Sequence, residues 1–255
     1  MSMNAITIAS RELRSLFLSP LAWSILGVVQ FIFAYIFLAQ LNTFIQVQPQ
    51  LATMENAPGA TEFIATPLFA TSAIIFMLVI PLITMRVIAG ERANHSLSLL
   101  FTAPISMAEI VIGKFLGVFG FLVCMAIMLA IMPLSLAFVG SLDYGLFFSA
   151  WIGLVLLIAS FAAIGVYMSS LTTQPTVAAI STFGILLMLW ILDWSSNKVA
   201  DVNASGALEY LSMLRHFEAM AKGLFSSTDF MYFIIVSSTF LILSIRRLDG
   251  DRLQR

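Results

Sequence analysis

Six apolar runs, each about as long as a bilayer's hydrocarbon core is thick, recur along this 255-residue chain and leave it few ways to fold. A helix needs roughly 20 mainly apolar residues to cross that core. Residues 21–41, 68–85, 112–139, 146–171, 176–194 and 230–245 meet the requirement. Composition agrees. Hydrophobic residues make up 60% of the chain and charged ones 10%, with a mean hydropathy of +1.02. Soluble domains run at roughly 45–50% apolar and about 25% charged. The expected fold is an all-α polytopic membrane protein of a single domain over 1–255, with six transmembrane helices. The first run is too long for a signal-peptide core, so it is expected to stay in the mature protein.

Charge placement orients the spans. Nine of the twelve Lys and Arg fall on one face: Arg11, Arg14, Arg86, Arg92, Lys114, Arg246, Arg247, Arg252 and Arg255. The other three, Lys198, Arg215 and Lys222, share one loop. By the positive-inside rule both termini, the segment 86–111 and the tail 246–255 are cytoplasmic, while 42–67 and 195–229 lie outside. A net charge of −1 gives no case for nucleic-acid binding. Cys124, the single cysteine, sits in an apolar run and cannot form an internal disulfide.

The polar stretches carry pattern of their own. Ile6, Ala9, Leu13, Leu16 and Phe17 recur at helical spacing, with Arg11, Glu12 and Arg14 on the remaining face. Residues 1–20 are therefore expected as an interfacial helix along the cytoplasmic leaflet, stopped by Pro20. Outside, Leu208, Leu211, Leu214, Phe217, Ala221 and Leu224 mark an amphipathic helix before the last span, too short and too charged to cross. The loop 42–67 reads as irregular. Pro133 should kink the long third run or end it in an interfacial extension.

Catalytic chemistry has no foothold in these residues. Gly113 and Lys114 lack the upstream glycine and the following Ser or Thr of a phosphate-binding loop. Neither His95 nor His216 has metal-ligand spacing, and no Ser, His and Asp set is placed for nucleophilic work. No span centre carries an ionisable group of the kind an ion-coupled transporter keeps there. The chain is not expected to be an enzyme, to bind a cofactor or to hold a metal.

The segment RVIAGERANHSLSLLFTAPISMAEIVIGK, residues 86–114, is a long, charged and amphipathic interruption. Asn94 or Ser96 could cap a short helix ending at Pro104, and Ser106 with Glu109 has capping-box spacing for a second helix. That helix runs into the third span, with Lys114 placed to snorkel at the interface. Gly113, Gly117 and Gly120 lie near one face there and suit close helix packing more than a dimer seam. Gln30, near the middle of the first span, is read as an interhelical hydrogen bonder, with contact to a transported molecule as the minor alternative.

These residues resemble the signature region of type-2 ABC transporter permeases. Glu91–Arg92, Leu99–Leu100, Thr102–Ala103–Pro104, Glu109 and Gly113–Lys114 occupy the family's places in order. His216, Phe217, Glu218, Gly223, Asp229, Tyr232 and Phe233 are similar to the region before the last span in the gliding-motility-associated subgroup. Ser98 stands where the family commonly has a carboxylate, so no ion pair to the ATPase follows for that position. The resemblance implies a permease subunit in a bacterial cytoplasmic (inner) membrane, an exporter acting as a homodimer or with a related permease. It implies two cytoplasmic ATPase subunits carrying ATP and Mg, with an accessory subunit in some members. Glu91, Arg92, His95, Leu99, Leu100 and Pro104 would form the ATPase-coupling helix, framed by Arg11 and Arg14 of the interfacial helix. Phe217, Glu218 and Gly223 would belong to an external gate, and Gln30, Gly113 and Gly117 to the pathway or its packing. The alternative is an ATP-independent channel or structural membrane subunit. The scarcity of charge in the spans favours an apolar or amphiphilic cargo.

Overall fold

The computed structural model describes residues 3–51, 59–94, 105–138, 142–196 and 212–253, and among these the regular structure is entirely helical. Nine α-helices follow one another among the described residues: α1 (Met3–Leu18), α2 (Pro20–Leu51), α3 (Ala60–Thr84), α4 (Ala89–Ala93), α5 (Met107–Leu134), α6 (Tyr144–Leu171), α7 (Pro175–Ser196), α8 (Met213–Ala221) and α9 (Ser227–Leu253). Among the described residues, five stretches are long and apolar enough to cross a membrane: α2, α3 with α4, α5, α6 and α9. The apolar part of α7 is shorter, Pro175–Ile191.

Proline sets several boundaries. Pro20 opens α2 rather than merely ending α1, because a first helical residue needs no amide hydrogen. Pro133 lies in the last turn of α5, after which the chain tightens into a 3-10 turn, Ser135–Phe138. This turn lies within the third run, at its end.

The reading of 42–67 as irregular is corrected at both ends. α2 continues through Asn42 to Leu51, and α3 starts at Ala60, eight residues before the apolar run. Phe44 and Phe63 pack ring against ring at 5.6 Å, holding the two extensions together beyond the apolar window. The tail after 245 is likewise helical as far as Leu253.

α6 is the central helix. In its most apolar stretch 67% of residues are buried, against 17% in α9 and 28% in α2, which lie at the periphery. Aromatic pairs bind the layers, with Phe33 against Phe76 at 5.7 Å, Phe69 against Phe147 at 5.9 Å and Phe17 against Phe121 at 5.2 Å. One end of the bundle gathers α1, α4, the start of α5 and the end of α9, and with them most of the basic residues. α8 caps the opposite end.

Candidate coupling site

At the basic end, glycines decide where α1 sits. A Cβ on Gly113 would lie 2.8 Å from the Ala5 carbonyl oxygen and from Ile8 Cβ. One on Gly117 would lie 2.5 Å from Glu12 Cβ and 3.0 Å from the Ala9 carbonyl oxygen. α1 therefore lies directly on the backbone of α5, and the glycine face read as a packing surface is the seat of this helix. Arg11 and Arg14 point away from α5 and are exposed. The start of α5 is fixed by the capping box expected from sequence. Glu109 N–H donates to Ser106 Oγ at 3.2 Å, and Ser106 N–H donates to Glu109 Oε2 at 2.9 Å. Asn4 of α1 adds a donor to Glu109 Oε1 at 3.4 Å.

Lys114 does not snorkel. Its side chain is 2% exposed, and Nζ lies 2.7 Å from Glu91 Oε1 on α4 and 3.4 Å from Glu12 Oε2 on α1. The close glycine packing of α1 roofs the lysine, so its stem has no route to the surface, and two carboxylates supply the compensation burial demands. Arg92, the next residue on α4, pairs with Asp251 of α9, and Arg247 reaches the same carboxylate at 3.8 Å. α4 is thus tied to α5 by one side chain and to α9 by the next.

The joint between α3 and α4 has its own fastener. Ser169 on α6, fully buried, donates to the Met85 carbonyl at 3.1 Å and accepts from the amides of Ile88 at 3.1 Å and Ala89 at 3.0 Å. One hydroxyl satisfies backbone groups left over where α3 ends and α4 begins. α3 reaches α6 closely because Gly165 has no side chain, and a Cβ there would fall 2.3 Å from Thr84 Oγ1.

The residues expected to make the coupling helix divide accordingly. Glu91 and Arg92 are half-buried and engaged within the chain. Asn94 is the C-cap of α4, and the helix that it or Ser96 was expected to cap lies outside the described residues. Ser96, His95, Leu99, Leu100 and Pro104 lie outside the described residues.

At the opposite end, α8 is docked more deeply than an interfacial anchor. Met213, Phe217 and Met220 are buried, and a Cβ on Gly153 of α6 would lie 2.9 Å from Met220 Cβ. Ser149 of α6 and Thr66 of α3 donate to the Met220 and Ala221 carbonyls, at 2.9 and 3.3 Å. Phe217 is core, with no exposed surface. Gly223 has φ of +83° and ends α8 in a Schellman motif. Its amide donates to the Met220 carbonyl and that of Leu224 to the Ala219 carbonyl, both at 3.0 Å. Glu218 is exposed, 4.0 Å from Lys222. His216 and Asp229 meet in the interior, Nδ1 to Oδ1 at 2.6 Å, and Tyr232 stacks on the imidazole at 4.2 Å. Of the motif residues, His216, Asp229 and Tyr232 are therefore brought together and join α8 to α9, while Glu218 stands apart from them.

Gln30 donates to the Met125 carbonyl of α5 at 2.9 Å, as an interhelical bonder should, and its buried Oε1 has no protein partner. Sequence reasoning missed Ser169, Asp251 and the pairing of Lys114. The lysine's signal was present, a lone cation one turn inside an apolar run.

No functionally curated protein matches the chain. The model of the family described as ABC-2 family transporter protein matches residues 6–246, and with nearly its whole length covered the chain belongs to that family.

Proposed function

We propose that this chain is the permease subunit of an ATP-driven ABC-2 exporter, of the gliding-motility-associated kind. In this reading α7 is a sixth span, and the basic end, with both termini, faces the bacterial cytoplasm. Two copies, or one copy and a related permease, frame the pathway, and two cytoplasmic ATPase subunits carry ATP and Mg. His95, Leu99, Leu100 and Pro104 contact the ATPase. Glu91 and Arg92 hold the piece that is pushed, and α8, seated by Phe217 and Gly223, closes the outer end.

The observation that supports this best is the ionic frame around α4. The pairs of Lys114 with Glu91 and Glu12, and of Arg92 with Asp251, bind the five residues of α4 to α5, α1 and α9. A load applied just beyond α4 would reach three helices through these ion pairs. A mere loop between spans has no need of such bracing.

Co-purification of the chain with an ABC ATPase, followed by ATP turnover of the complex in lipid discs, tests the reading. Leu99→Asp and Leu100→Asp are expected to abolish ATPase binding while leaving the permease folded. If binding and turnover survive both changes, the coupling assignment fails. If no ATPase binds the unaltered chain, an ATP-independent membrane subunit is the better description.

A further inference from the structure

We propose that Lys114 is a shared cation that changes partners during the transport cycle, held by Glu91 while α4 rests against α5 and passed to Glu12 when α4 is drawn away. The proposal rests on the permease reading above and adds to it the step by which the coupling segment releases from the span.

The argument begins with the cost of stranding a charge. A buried ammonium that loses its last anion is strongly destabilised, so a single Lys114–Glu91 pair would lock α4 onto α5. Two carboxylates on different elements remove that lock. Glu91 is the nearer, at 2.7 Å, and Glu12 waits at 3.4 Å, still within hydrogen-bond reach. The long flexible stem of lysine lets its ammonium turn from one oxygen to the other without backbone movement.

The two carboxylates also differ in what they are attached to. Glu12 belongs to α1, whose backbone is pressed onto Gly113 and Gly117 of α5, so it travels with Lys114. Glu91 belongs to α4, which hangs from α3 by the turn that Ser169 ties. When the bundle flexes, the Glu91 distance is the one that changes. Glu12 is then a positioning residue for the moving state, and Glu91 for the resting state.

Hydrogen exchange followed by mass spectrometry, on the full-length permease in lipid discs with and without its co-purifying ATPase, separates these roles. Glu91→Gln is expected to speed exchange of the α4 amides in the resting permease. Glu12→Gln, nearly the same shape and partly exposed, is expected to leave resting exchange unchanged. It should slow the ATP-driven exposure of α4 about tenfold, the rate equivalent of one lost charge-assisted hydrogen bond. ATP-driven exposure in Glu12→Gln equal to that of the unaltered chain would overturn the proposal. So would faster resting exchange of α4 in Glu12→Gln, which would make Glu12 a static brace. Lack of any ATPase binding would instead remove the permease reading. The resting comparison then still decides, since α4 exchange in Glu91→Gln equal to the unaltered chain contradicts the assigned resting partner.

Discussion

Gly117→Ala is expected to unseat α1 while leaving the spans intact. The added methyl would stand 2.5 Å from Glu12 Cβ and 3.0 Å from both the Ala9 carbonyl oxygen and Glu12 Cγ. Carbon atoms normally approach to about 3.5–4.0 Å, so α1 must lift by roughly 1 Å. Such a lift carries Glu12 beyond hydrogen-bond reach of Lys114, now at 3.4 Å. Overpacking of this kind costs about 1–3 kcal/mol, while alanine returns up to about 1 kcal/mol of helix propensity. Gly120→Ala supplies the control. Its methyl would meet Leu13 Cδ1 at 3.5 Å, an ordinary contact, and it shares the same propensity gain. The difference between the two variants therefore isolates the steric part, about 1–3 kcal/mol. Denaturant unfolding in detergent micelles measures that difference, and amide exchange across Met3–Leu18 shows whether α1 is the element released. Equal unfolding midpoints with unchanged α1 exchange in both variants would refute the glycine seat.

Other expectations follow from single contacts. Ser169→Ala should cost about 1–3 kcal/mol by leaving the Ile88 and Ala89 amides without their acceptor, and exchange at those two positions should rise first. Gly223→Ala forces a side chain into the left-handed region at φ of +83°, for a loss of about 1–2 kcal/mol, with Gly223→Asn milder in the same thermal unfolding experiment. Asp229→Asn keeps the shape but removes the carboxylate from His216, and should loosen α8 by about 1–2 kcal/mol, read as faster exchange over Met213–Ala221. Ser106→Ala should cost about 1 kcal/mol and fray the first turn of α5, since it removes one half of the capping box.

Features governed by local rules could be read from the chain before any coordinates. The α1 periodicity, the Ser106–Glu109 box, the small-residue face of α5 and the hydrogen-bonding role of Gln30 all depend on spacings of a few residues or on one polar group in lipid. Partners far apart in sequence could not. Lys114 and Glu12 are separated by 102 residues, and Arg92 and Asp251 by 159. Periodicity shows which face of a helix is buried but not what buries it. A lysine near a span end was accordingly assigned to water when the α1 helix covers it. The extensions of α2 and α3 were hidden because Asn42, Gln46, Gln48 and Pro49 carry loop chemistry, and only the Phe44–Phe63 pair reveals why the helices persist. Phe217, singled out for a gate, has no exposed surface because α6 offers Gly153 as a hollow for α8.

The peripheral last helix has a consequence for assembly of the bundle. α9 buries little of its middle, yet each extremity is fastened, Asp229 to His216 at one end and Asp251 to Arg92 at the other. Neither fastening can form until α9 packs against the bundle. A bundle from which α9 is displaced therefore loses the Asp229 carboxylate from His216 at one end and the Asp251 carboxylate from Arg92 at the other. The seating of this one peripheral helix is thus registered at both ends of the bundle at once.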